Sequence, residues 1–180
     1  MPMPEELTTR RLFLRPYHWQ DIDDVMAYAT DEAWARYLPV PWPYTRRDAE
    51  QFLASQVLLD PAREARWAIV LDGTVVGGVN LRRSPEHRLA ELGYALARAV
   101  WGRGLATEAA RAVIRAAFEA DPELNRIRAV ADPRNVASVR VLEKAGMTRE
   151  GILRQNRMFR GELMDEAWYG ILREELDTDR

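Results

Sequence analysis

The chain has 180 residues, enough for one domain with a sizeable core, and its 28 acidic and 26 basic residues leave a net charge of −2. That balance gives no general attraction to nucleic acid or to an anionic membrane, so any anion must be held by a local site. The lack of cysteine excludes disulfides, thiolate metal sites and cysteine nucleophiles, and His18 and His87 are too few for a histidine-based metal centre.

Met1 to Glu6 carries no basic run followed by an apolar one, and no later segment approaches the ~20 apolar residues that span a bilayer, so a cytoplasmic protein is expected. Leu7 to Arg15 sets Leu12 and Leu14 against Arg11 and Arg15, the alternation of a half-buried strand, and Pro16 ends it because proline cannot extend a ladder. Asp21 to Ala29 and Arg47 to Leu59 have helical apolar spacing, with a proline- and aromatic-rich loop, Tyr37 to Pro43, between them. Thr45 and Asp48 resemble a capping box for the second helix.

Arg66 to Leu71 and Thr74 to Leu81 flank Asp72-Gly73, a hairpin signal because both residues tolerate positive φ, and Leu89 to Ala97 reads as a further strand. Thr107 to Ala120 is an alanine-rich amphipathic helix, Ile127 to Ala131 a buried strand, and Val136 to Ala145 a short helix stopped by Gly146. Thr148 to Arg157 and Glu162 to Leu172 close the chain as two strands around Arg160-Gly161. The expected fold is α+β: one domain over residues 1–180, a mixed, mostly antiparallel sheet of about seven strands and about four flanking helices.

The most informative stretch is Trp101-Gly102-Arg103-Gly104-Leu105-Ala106-Thr107, where glycines gather between a strand and a helix that begins at once. Free N–H groups at a helix N-terminus and the positive end of its dipole make an anion site, and glycines let the backbone approach a phosphate closely. A phosphate or pyrophosphate ligand is implied. It is not a nucleotide P-loop, which needs Gly-Lys followed by Ser or Thr, nor a Rossmann loop, which needs a third glycine where Thr107 stands.

Gly104 and Ala106 match the last two fixed positions of the phosphate loop of the GNAT acyltransferase superfamily, which the chain resembles. Trp101 departs from the usual Gln or Arg, yet Trp-Gly-Arg-Gly-Leu-Ala-Thr-Glu-Ala looks like the version in the RimJ/RimL branch, the N-terminal acetyltransferases of ribosomal proteins. The opening Thr9-Arg10-Arg11-Leu12-Phe13-Leu14-Arg15-Pro16, the Ala90-Glu91-Leu92-Gly93-Tyr94 segment, Asn135 to Ser138, Leu142 to Met147 and Glu150 to Arg154 add further matches in the right order.

The resemblance implies an acetyl-CoA (or other acyl-CoA) co-substrate, no metal, and a sheet whose fourth and fifth strands splay around the thioester. Backbone groups of Tyr94, Ala95, Leu96 and Ala97 would meet the pantetheine, and the amides of Gly102, Arg103, Gly104, Leu105, Ala106 and Thr107 the pyrophosphate, with Asn135 as a further coenzyme contact. Amide formation from a thioester also needs a base for the amine and an acid for the leaving thiolate. Glu91, on the strand before the loop, is the first candidate base, where partial desolvation would sharpen it. Glu150 is the rival by family analogy. The family's usual tyrosine acid is replaced by Leu142, and Ser138 resembles the serine suggested for that role in RimL-like members. Trp42, Trp67, Tyr94, Phe159 and Trp168 are aromatics near these segments, more often core than site.

The implied acceptor is a protein N-terminus, such as that of a ribosomal protein; the alternatives are a small-molecule amine (an antibiotic, polyamine or amino acid) and a non-catalytic acyl-CoA sensor. Neither nucleic acid nor membrane is an expected partner. Dimers are common in the superfamily, and apolar residues on the last strands make a homodimer a further expectation.

Overall fold

The structure, a computed structural model, describes residues 3–176. The expected first strand is two, β1 (Leu7–Thr8) and β2 (Phe13–Arg15), which pair antiparallel. Thr9 makes the turn between them, its amide donating to the Leu12 carbonyl and its hydroxyl oxygen accepting from the Leu12 amide. The alternation that reads as one strand is carried by Leu12 and Leu14, both buried, while Arg10 and Arg11 stand in solvent at the bend.

Three short helices follow: α1 (Ile22–Ala29), α2 (Glu32–Ala35) and α3 (Arg46–Ser55). The α2 turn lies outside the expected elements and is held by the Asp31 side chain, which accepts from the Ala33 amide. Thr45 and Asp48 form the expected capping box at the start of α3. The meander is β3 (Glu64–Leu71), β4 (Thr74–Ser84) and β5 (Leu89–Leu96), with Asp72 (φ 51°) and Gly73 (φ 83°) at its first turn. Then come α4 (Leu105–Ala120), β6 (Arg126–Ala131), α5 (Val136–Lys144), β7 (Thr148–Phe159) and β8 (Glu162–Leu172).

Among the described residues the sheet thus has eight strands rather than about seven, in the order β1-β2-β3-β4-β5-β6-β8-β7, and five α-helices rather than about four flank it. All its pairings are antiparallel except β5 with β6. That parallel pair holds for only three rungs, Leu89↔Arg126, Ala90↔Ile127 and Glu91↔Arg128, while β6 pairs along its whole length with β8. Held to β8 on its other edge, β6 leaves β5 after Glu91, and the expected splay opens there.

The two faces of the sheet bury different clusters. On one, α4 and α5 cover Trp67, Ile69, Leu81, Ala90, Leu92, Leu96, Ile127, Ala129 and Tyr169. On the other, α1 and α3 cover Ala68, Val70 and Val75 with Ile22, Val25, Tyr28 and Leu53. Because side chains alternate along a strand, each strand at the splay serves both faces. No helix among the described residues is long and apolar enough to cross a membrane.

Candidate active site

The glycine loop enters α4 with Gly102 and Gly104 both at φ 74°, a left-handed conformation that glycine adopts without Cβ strain. Gly104 is the N-cap, so the helix begins at Leu105, two residues before the expected Thr107. The first helical bond is donated by Glu108 to the Gly104 carbonyl. Among the described residues none of the amides of Gly102 through Thr107 donates to a protein acceptor. A row of free N–H groups at the positive end of a sixteen-residue helix fits a pyrophosphate.

Two contacts hold this loop. The Trp101 indole N–H donates to the Leu96 carbonyl at 2.7 Å, tying the loop to the end of β5. Glu108, in the first turn of α4, accepts from the Thr9 hydroxyl at 2.6 Å, the Arg11 amide at 2.8 Å and Arg11 Nε at 2.7 Å. Arg11 then reaches on to donate to the Arg103 carbonyl at 2.9 Å. Burial pushes the Glu108 carboxyl up, but the bonds from Thr9 and Arg11 outweigh it and hold the group below the usual carboxylate range. The Thr-x-Arg pattern at the start of the chain is therefore a brace for the phosphate loop, a role that its local sequence does not announce.

A cleft of about 580 Å³ runs through the splay, lined by Glu91, Tyr94, Ala95, Asn135, Ser138 and Leu142 together with aromatic side chains from the α1–α3 side. On β5, Ala90, Leu92 and Leu96 pack toward α4 and α5, so Glu91, Gly93 and Ala95 face α1 to α3, and Tyr94 faces α5. Past Glu91 this edge of β5 has no strand partner. Of the four residues expected to offer free backbone groups there, Leu96 has its carbonyl engaged by Trp101, and Ala97 donates its amide to the Val76 carbonyl at 2.7 Å. The unpaired edge thus begins at Leu92 and includes Tyr94 and Ala95 of the expected four.

Glu91 stands at the fork, and its side chain is ion-paired rather than in apolar surroundings. Arg128, its partner across the last paired rung, donates Nε and Nη2 to the same oxygen, Oε2, at 2.9 and 2.8 Å. The Arg128 guanidinium in turn lies over the Trp168 ring, 5.0 Å from its centroid. Oε1 accepts neither of these bonds, and Glu91 lines the cleft. Glu150 is not among the residues that line the cleft. Arg126 grips it with both terminal nitrogens, and these hydrogen bonds hold its carboxyl below the usual range, a poor setting for a base.

On the other side of β5, the Tyr94 hydroxyl lies 2.9 Å from Ser138 Oγ and donates to the Ser138 carbonyl at 3.0 Å. Burial pushes the Tyr94 hydroxyl up to about 12, so it keeps its proton at neutral pH. Asn135 caps α5, its Oδ1 accepting from the Ser138 amide at 3.1 Å, which leaves its amide nitrogen for the cleft. The structure therefore brings Glu91, Tyr94, Asn135 and Ser138 together around one opening. Of the other aromatics, Phe159 lines the cleft, Trp67 is buried in the core and Trp42 is half-exposed on its loop. Sequence reasoning missed Tyr17, whose ring lies over Gly78 of β4 with its hydroxyl on the Gly77 carbonyl at 3.1 Å.

Comparison with known proteins agrees with this geometry. The family model for the acetyltransferase (GNAT) domain matches residues 11–148. The N-acetyltransferase p20 of Bacillus licheniformis is 33% identical over 179 residues, covering 95% of this chain and 98% of its own. The crystal structure of a GNAT-family acetyltransferase from Bacillus anthracis superposes with a TM-score of 0.83 at 28% identity, covering 94% of this chain and 99% of that one. The ribosomal alpha-N-protein acetyltransferase RimL, solved in complex with coenzyme A, shares the fold at a TM-score of 0.80 and 18% identity, over 96% and 98% of the two chains. With a splayed β5–β6 pair, a free-amide glycine loop and this match over most of its length, the chain belongs to the GNAT acetyltransferases and is an N-acetyltransferase that uses acetyl-CoA.

Proposed function

We propose that the protein acetylates a neutral primary amine by direct attack within a ternary complex, and that this amine is the N-terminal α-amine of a peptide or protein, as in RimL. Acetyl-CoA supplies the acyl thioester, with the amides of Gly102 through Thr107 and the Asn135 side chain as its contacts. The observation that carries the reading is the placement of two different proton-handling groups on opposite sides of one strand. Glu91 faces α1 to α3, where an acceptor enters, and Ser138 with Tyr94 faces α5.

In this reading Glu91 Oε1, directly or through a water, takes the proton from the attacking amine, while Arg128 holds the side chain in place. Ser138 Oγ returns a proton to the leaving sulfur, and the Tyr94 hydroxyl steadies it. An α-amine, with pKa near 8 against ~10.4 for lysine, is the easier nucleophile to present neutral at physiological pH. No enzyme-bound acyl intermediate is needed, in keeping with the absence of cysteine.

A single domain over residues 1–180, working in the cytoplasm, belongs to the same proposal. So does a homodimer: β7 is the edge strand, and Ile152, Leu153, Met158 and Leu163 on the last hairpin are exposed. Sedimentation of the purified chain tests it. The catalytic test is thiol release from acetyl-CoA with peptides of free N-terminus, N-terminally blocked lysine peptides and aminoglycosides. Glu91→Gln lowers kcat by about 10²–10⁴-fold with coenzyme affinity retained, the range for a lost general base. An unchanged kcat refutes the role of Glu91, and turnover confined to aminoglycosides moves the protein to the small-molecule class.

A further inference from the structure

Six rings converge on the acceptor side of the cleft: Tyr17, Tyr28, Trp34, Tyr37, Tyr44 and Phe52. They come from five separate segments, namely the chain after β2, α1, α2, the loop before α3, and α3 itself. Two pairs are already locked in ring contact, Tyr17 edge-on to Phe52 at 5.0 Å and Tyr28 tilted on Trp34 at 5.2 Å. Such offset and edge-to-face arrangements are the ones that also receive a further ring. Tyr28 is itself part of the packed cluster with Ile22, Val25, Ala29, Leu53 and Val70, whereas Tyr17, Trp34, Tyr44 and Phe52 are only partly buried against that cluster, and they and Tyr37 also line the cleft.

Charge selects among possible occupants. Five carboxylates line the cleft: Glu64 has Arg66 and Arg82, Glu91 has Arg128, Asp132 has Arg134, and Asp165 and Glu166 accept from the Gln155 amide and the Asn156 side chain. None of these carboxylates stands on the segments that carry the rings, so the ring chamber itself is suited to an uncharged group rather than a polycation. Register supplies the length. On this face of β4 and β5 the rungs run Gly78/Ala95, then Asn80/Gly93, then Arg82/Glu91. Tyr17 lies over the first and Glu91 stands at the third. An amine within reach of Glu91 sits near the middle rung, and the first rung is two residues, about 7 Å, further on.

We propose that these rings form an aryl subsite, and that the preferred acceptor is a primary amine with an aromatic ring two carbons from its nitrogen. This rests on the acetylation of a primary amine proposed above. An N-terminal Phe, Tyr or Trp and a free arylethylamine share that chemistry.

The test is steady-state thiol release from acetyl-CoA with alaninamide, leucinamide, phenylalaninamide, phenethylamine and a peptide beginning with Phe. A ring that buries on the order of 100 Å² against apolar walls favours phenylalaninamide over alaninamide by roughly tenfold to a hundredfold in kcat/KM, mostly through KM. Trp34→Leu and Tyr37→Leu bring that ratio down toward one. A peptide that outperforms phenethylamine, or the reverse, supports the subsite and identifies the source of the ring. A ratio near one in the wild-type protein, or a ratio unmoved in both variants, overturns the subsite alone. No turnover of any of these amines, with coenzyme binding intact, overturns the primary-amine reading as well.

Discussion

Replacing Glu108 with glutamine keeps the size of the side chain and removes the acceptor that joins the start of the chain to the phosphate loop. The carboxylate accepts three hydrogen bonds, from the Thr9 hydroxyl, the Arg11 amide and Arg11 Nε. Glutamine retains one acceptor oxygen and turns an NH₂ group toward a donor, so at least one of these contacts becomes donor against donor. Bonds to a charged group contribute about 1.5–3 kcal/mol each and are not additive, which makes about 2–3 kcal/mol a reasonable net loss. At roughly 2–4 °C per kcal/mol for a domain of this size, the melting temperature falls by about 4–12 °C at pH 7. The folded-state pKa of Glu108 is lowered, so the unfolded chain binds the proton more readily. The stabilisation is thus complete above the unfolded value of ~4.3 and is lost as pH falls through the folded one. Melting both proteins by circular dichroism between pH 7 and pH 3 should show the gap closing toward the acid end. A gap below about 1 °C at pH 7, or one that stays constant down to pH 3, refutes the brace.

Three further outcomes follow from the same site. Trp101→Phe removes the indole bond to the Leu96 carbonyl, worth about 1 kcal/mol, and raises the KM for acetyl-CoA about fivefold with kcat unchanged. Gly78→Ala places a Cβ 2.1 Å from the Tyr17 hydroxyl, which must move. The variant loses about 1–3 kcal/mol of stability and raises the acceptor KM, and Tyr17→Phe added to it restores part of both, as read by melting and kinetics. Ser138→Ala lowers kcat about a hundredfold, whereas Tyr94→Phe, which leaves the serine in place without its partner, lowers it less. If Tyr94→Phe proves the more damaging of the two in single-turnover assays, the tyrosine rather than the serine delivers the proton.

Local signals were legible wherever one segment carries its own instructions. The Asp72-Gly73 and Arg160-Gly161 turns, the Thr45–Asp48 cap and the glycine loop into α4 each lie where short-range pattern places them. The split of the first strand was not legible, because Leu12 and Leu14 maintain one buried face beyond the bend at Thr9. Nor was the start of α4 at Leu105, which depends on the left-handed conformation of Gly104. The partners of Glu91, Glu108, Glu150 and Tyr94 lie 24 to 99 residues away in sequence. Charge alone marks such residues as candidates; only the register of β5 with β6, and of β6 and β7 with β8, decides that Arg128 meets Glu91 at the fork while Arg126 pairs with Glu150.

The chemistry follows from how β6 is shared. A strand paired fully on one edge with β8 can follow β5 only briefly, and the three rungs that remain end at Glu91 and Arg128. Past that point β5 is paired with β4 alone and its other edge is open, one face toward α1 to α3 and the other toward α5. Alternation then assigns the chemistry by parity. Odd positions such as Glu91 and Gly93 face α1 to α3, the side proposed for the amine, and an even position, Tyr94, meets the serine of α5. An insertion of one residue between Glu91 and Tyr94 would put both groups on one face. In the proposed mechanism the amine would then lose its base or the thiolate its acid, although every side chain would still be present. The active site is thus specified as much by the three-residue spacing of Glu91 and Tyr94 as by their identities.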